Sequence, residues 1–160
     1  PEYLKVNPMG KIPTIIHRDV VVTEAAAICA YLADAFPKAN LAPAVNDPKR
    51  GSYYRWLFFA ASCIEPAMFD KTHPRTNNPT AGQMGHGNYD NVVATLELAV
   101  ANGFLVGDQF TAADVYLSSQ IGWSIFTKNL DKKSVFTDYL RRCQDRPAFK
   151  RYMDKAGPLG

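Results

Sequence analysis

GDQFTAADVYLSSQIGW, residues 107–123, decides how the rest of this chain reads. Thr111 stands where a helix cap belongs, and Asp114, three residues on, can return its carboxylate as a short-armed capping box. Phe110 before the cap and Val115 at the fourth helical position are spaced as a hydrophobic staple. The helix that follows carries Ala112, Ala113, Val115, Tyr116, Leu117 and Ile121 and no lysine or arginine. That is the pattern of a central, buried helix without a wet face. A helix end set in a core has no water for its free N–H groups, so alanine at Thr111 or Asp114 should cost about 0.5–2 kcal/mol.

Working outward, the chain on both sides of this stretch is helical as far as residue 49. Residues 49–70 carry Tyr53, Trp56, Leu57, Ala60, Ala61, Ile64 and Phe69 on a broad apolar face, which Pro66 should kink or loosen. Residues 71–80 read as a loop. Tyr89, Val92, Val93, Leu96 and Val100 then give a clear 3.6-residue period up to Gly103, although Gly82, Gly85 and Gly87 leave the start of that helix open. Beyond the capped helix, Phe136, Tyr139, Leu140 and Cys143 line another, and Pro147 is placed to open a last one through Phe149, Tyr152 and Met153. Residues 37–48, with three prolines and little periodicity, are a linker and the expected domain boundary.

Before that linker the pattern changes. Residues 1–10 read as the tail of a short helix running into a loop, punctuated by Asn7-Pro8 and Gly10. Two β-branched runs, 12–16 and 20–22, are joined by His17-Arg18-Asp19 as a hairpin. Thr23 sits where the next helix would be capped, with Glu24 in its first turn and the helix running over 25–36.

Composition narrows the functional classes. The chain has 160 residues, 47% of them hydrophobic, and a net charge of only +3 with its lysines and arginines scattered. That is enough for a sizeable core and gives no basic stripe for nucleic acid. No run of 18 uncharged apolar residues marks a membrane span. Cys29, Cys63 and Cys143 are odd in number, widely spaced and set in helical patterns, so they read as reduced thiols of a cytoplasmic protein. His73 and His86 have no partner pattern that would hold a metal.

The local chemistry gathers at two short stretches. A proline between two apolar residues at a strand start leaves backbone groups beside it without ladder partners. A cis Ile12–Pro13 bond, which is expected, would present them to an extended, peptide-like ligand. Ten residues on, the free N–H groups of a helix start and the Thr23 hydroxyl form a small anion site, with Glu24 able to hold an ammonium. Taken alone, Thr23 and Glu24 read equally as a helix cap and a first-turn acid.

These residues carry a resemblance. The chain resembles a cytosolic glutathione transferase of bacterial type, from the second half of its thioredoxin-like domain to its end. NPMGKIPTI (7–15) is similar to the family's loop into the cis-proline, and VTEAAAICAYL (22–32) to its glutathione-binding strand-to-helix turn. FTAADVYL (110–117) resembles the capping box and staple of the family's helical domain, and RPAF (146–149) the entry to a late helix. The resemblance implies an α+β two-domain fold. Residues 1–40 would be the C-terminal half of a thioredoxin-like, glutathione-binding α/β domain, and residues 49–160 an all-α bundle.

It also implies that the backbone at Ile12 and Pro13 pairs with the cysteinyl part of glutathione, the co-substrate, while Thr23 and Glu24 hold the γ-glutamyl carboxylate and amine. No metal is implied. The family's thiol-activating Tyr, Ser or Cys belongs to a first strand–helix segment that would precede Pro1, so the catalytic residue stays unknown. The expectation is a longer natural protein, whose missing strand covers an otherwise bare and aggregation-prone hairpin edge.

The implied activity is transfer of the glutathione thiolate to a small electrophile or a disulfide. The alternative is a non-catalytic glutathione-binding or structural protein of the same fold. A homodimer is expected, because Tyr53, Tyr54, Trp56, Leu57, Phe58 and Phe59 cover more of one helix than a single buried stripe uses. Glu65 on that helix reads as a cleft-facing or cross-dimer carboxylate or as a solvated one, and Cys63 as a packed small hydrophobe.

Overall fold

The computed structural model describes residues 2–77 and 79–157. It opens with a short helix, α1 (Glu2–Val6), and an antiparallel hairpin of β1 (Thr14–His17) and β2 (Val20–Thr23), paired Thr14 to Thr23 and His17 to Val20. The loop between the strands is two residues rather than the expected three. Arg18 and Asp19 both take positive φ, 51° and 64°, and this mirror-image turn matches the twist of the strands, so His17 stays in the ladder. β1 starts two residues later than expected because Pro13 has no N–H to donate.

α2 (Ala25–Ala35) packs on the hairpin and stops one residue before Phe36-Pro37, since the residue before a proline is pushed out of helical geometry. A single 3₁₀ turn, Pro37–Ala39, leads into the irregular linker. Arg50 closes this junction. Its guanidinium is buried, donates to both Asp34 carboxylate oxygens at 2.7 Å, and reaches the Pro43 carbonyl at 2.7 Å.

The long elements described after the linker are all helices: α3 (Lys49–Phe59), α4 (Glu65–Thr72), α5 (Tyr89–Val100), α6 (Ala112–Phe126), α7 (Ser134–Gln144) and α8 (Pro147–Ala156). The molecule is thus a small two-stranded sheet with flanking helices, a partial thioredoxin-like domain, followed by an all-helical bundle.

Between α3 and α4 the chain forms a π turn, Ala60–Ile64, the local loosening that was one of the two effects expected of Pro66. Proline lacks the N–H that would bond the carbonyl four residues back, and its ring crowds that carbonyl. Widening the turn just before Pro66 accommodates both defects without ending the helix. The open start of α5 is settled by Asn88, whose side chain accepts from the Asn91 N–H at 2.8 Å.

The core gathers Tyr53, Leu57, Ile64, Leu96, Val100, Leu117, Ile121, Phe136 and Tyr139 around α6. Truncating Leu117 to alanine there should cost about 2–5 kcal/mol. The capping box of α6 forms as expected, and its carboxylate arm dominates. Asp114 accepts from the Thr111 N–H at 2.9 Å and hydroxyl at 3.0 Å, from the Leu105 N–H at 2.9 Å and from the Tyr139 hydroxyl at 3.0 Å.

One expectation for this helix needs correction. It is not buried all round: Val115, Trp123 and Phe126 lie on an exposed stripe, because α2, α3 and α7 leave that side uncovered. Val115 is 43% exposed, while the Phe110 ring packs edge-on against Phe104 and lies beneath the Arg146 guanidinium at 3.6 Å.

Candidate functional site

The antiparallel register decides where the singled-out residues meet. Thr14 pairs with Thr23 at the open end of the hairpin, so Ile12–Pro13, just before β1, and Thr23–Glu24, where β2 ends, fall side by side. The Ile12–Pro13 bond is cis. The Ile12 side chain is 85% exposed, and among the described residues nothing hydrogen-bonds to its N–H or C=O. Pro13 is exposed and Thr23 half-buried.

Thr23 does not cap α2. Its backbone is used in the ladder opposite Thr14, so the extended chain continues to it, and the reversal into the helix falls on one residue. That residue is Glu24, at φ 67° and ψ 119°, the N-cap position, with no capping bond from its own side chain. The expected first-turn placement of Glu24 is corrected accordingly. A non-glycine residue in this region carries strain of about 1–3 kcal/mol. The strain holds an exposed, uncommitted carboxylate beside the free N–H groups of an eleven-residue helix.

The loop before Ile12 is held from beneath by α1. The Tyr3 hydroxyl donates to the Lys11 carbonyl, which also accepts from Asn7 Nδ2 at 2.8 Å. Thr14 Oγ1 lies 2.8 Å from the Tyr3 hydroxyl and accepts from Asn7 Nδ2 at 3.2 Å. The turn between them needs Gly10, at φ 65°, where an added Cβ would meet Leu4 at 3.1 Å.

α6 packs against α2 and carries two further polar residues, Tyr116 and Gln120. The Tyr116 hydroxyl accepts from Gln120 Nε2 at 3.2 Å. Its pKa is raised, first by burial and then by the nearby Glu65, Cys29 and Glu24, while the Gln120 bond works against the rise. Tyr116 and Gln120 are an i,i+4 pair on one face of α6.

Cys29 is half-buried, and burial pushes its thiol up, away from thiolate reactivity. Two hollows, of about 290 and 420 Å³, lie around Tyr89 and share no lining residue with Ile12, Pro13, Thr23 or Glu24. Among the described residues no group of three His, Cys, Asp or Glu is placed to hold a metal, and no helix is long and apolar enough to cross a membrane.

A family model described as "Glutathione S-transferase, N-terminal domain" matches residues 1–34. Glutathione S-transferase GstA of Escherichia coli O157:H7 is 27% identical over 98% of this chain and 79% of that protein. Glutathione S-transferase Z2 of Arabidopsis thaliana is also 27% identical, over 98% and 74%. Among solved structures, a sphingomonad glutathione S-transferase complexed with glutathione superposes with a TM-score of 0.77 at 27% identity, covering 99% of this chain and 80% of that one. A glutathione transferase from Methylococcus capsulatus superposes with a TM-score of 0.75 at 32% identity, covering 98% and 79%. With that identity over that coverage, on a partial thioredoxin-like domain and helical bundle, this chain belongs to the glutathione transferase superfamily.

Proposed function

We propose that the chain binds glutathione at the open end of its hairpin and serves transfer of the glutathione thiolate to a small electrophilic or disulfide substrate. The observation that carries this reading is the Thr14–Thr23 register, which sets an unpaired Ile12 backbone beside an uncommitted Glu24 and the start of α2. Glutathione is a peptide with a free α-amino-acid end, and each part finds a matching group. The γ-glutamyl carboxylate faces the α2 N–H groups and the Thr23 hydroxyl, and the Glu24 carboxylate takes the amine. The cysteinyl backbone pairs with Ile12 beside Pro13.

On this reading residues 1–40 form the glutathione-binding domain and residues 49–160 the helical domain of a bacterial-type, cytoplasmic enzyme. It works as a two-fold dimer through the exposed Tyr54–Phe58 face of α3. Titration calorimetry tests the site: Glu24→Gln should weaken glutathione binding by about 1.5–3 kcal/mol, the worth of a charged hydrogen bond. Unchanged affinity would remove Glu24 from it. The ultraviolet absorbance of bound thiolate, followed against pH, separates an activating site from one that only binds.

A further inference from the structure

We propose that Tyr3 and Asn7 are positioning residues for glutathione, gripping the Lys11 carbonyl so that the Ile12 N–H is aimed at the ligand's cysteinyl carbonyl. The inference rests on the reading that glutathione pairs with the Ile12 backbone.

The Lys11 carbonyl and the Ile12 N–H belong to one planar, trans peptide unit, so they point in opposite directions and turn together. Two donors, the Tyr3 hydroxyl and Asn7 Nδ2, converge on that oxygen from the α1 side. Fixing the oxygen there fixes the N–H outward. Donors on a carbonyl also polarise its amide and strengthen the N–H on the far side as a donor.

The network is closed, which marks it as more than a surface contact. Tyr3 spends its one proton on Lys11 and accepts from the Thr14 hydroxyl, and Asn7 spends its two amide protons on Lys11 and Thr14. The Met9 N–H, at 3.1 Å from Asn7 Oδ1, sets which way the amide faces. Asn7 is 3% exposed, in a chain that buries few polar side chains, and it lies one helical turn beyond Tyr3 on the same face. Thr14 carries the grip onward, because its backbone pairs with Thr23 at the other half of the site.

The test compares glutathione with an analogue whose cysteinyl carbonyl is replaced by an E-alkene, titrated into the protein and its Tyr3→Phe and Asn7→Ala variants. The unmodified protein should bind the analogue about five- to tenfold more weakly than glutathione, the worth of one hydrogen bond. Each variant should bind glutathione weaker by a similar factor and discriminate little between the two ligands, since the N–H is no longer aimed. A grip that served only folding would weaken both ligands equally and leave the discrimination intact, which would overturn the proposal. So would variants with unchanged glutathione affinity. Tyr3→Phe is the milder change and carries the test if Asn7→Ala fails to fold. An unmodified protein that binds glutathione but treats both ligands alike would overturn the Ile12 pairing. One that binds neither would overturn the glutathione reading itself, and the proposal falls with either.

Discussion

The Tyr139 hydroxyl donates to Asp114 Oδ1 at 3.0 Å, joining α7 to the cap of α6 with both side chains fully buried. The bond supplies one of the four donors that keep a carboxylate in the core. Tyr139→Phe keeps the ring and removes only that donor. It should lower unfolding stability by about 1.5–3 kcal/mol, read as a shift in urea midpoint, because the carboxylate is left under-satisfied without access to water. A change within error would show that the other three donors suffice.

Asp114 also gives the protein a characteristic pH response. Burial raises its pKa, and the bonds from Leu105, Thr111 and Tyr139 only partly oppose the rise. Between the ordinary carboxylate value and this raised one, the folded protein holds a proton that the unfolded chain has released. Stability from this group is therefore full below the ordinary value and falls as pH rises through that window. Asp70 works in the opposite sense. Burial alone would raise it, but bonds from Arg75 and His86 outweigh burial and hold it low, so its contribution is lost as pH falls. The difference between the protein and Asp114→Asn isolates the first effect: the falling limb should vanish in the variant. In Tyr139→Phe it should extend to higher pH.

Glu24 trades fold stability against its proposed role. Its φ of 67° suits glycine better than glutamate. Glu24→Gly should raise the thermal midpoint, a net gain of about 1 kcal/mol once the greater freedom of the unfolded glycine is deducted, while glutathione affinity falls. A variant that is less stable would show that the carboxylate helps hold the turn.

Tyr54 and Phe58 stand one turn apart on α3 with ring centroids 6.4 Å apart, and Phe58 is 67% exposed. Their neighbours Tyr53, Trp56 and Leu57 are buried in the bundle, so the apolar excess of this helix reduces to that one outward face. In the proposed dimer it is the contact. Phe58→Glu should convert a dimer in sedimentation velocity to a monomer with an unchanged helical spectrum, and a monomeric unmodified protein would remove the proposal.

The sequence alone was enough for the helices α5 to α8, the box at Thr111 and Asp114, the hairpin, and the pairing of Ile12–Pro13 with Thr23–Glu24 as places to look. Each rests on residues within a few positions of one another, where periodicity, capping chemistry and proline's missing N–H act locally. Tertiary structure decided the rest. Whether Thr23 capped a helix or ended a strand depended on Thr14 across the ladder, and that pairing moved the cap to Glu24 and left it at positive φ. The outward stripe of Val115, Trp123 and Phe126 depended on which helices lay alongside. Asn7 read as turn punctuation because the carbonyl it grips is presented only once the chain has folded back over α1. Spacing along a chain encodes the period of an element, but the partner of a buried polar group is set by packing between elements.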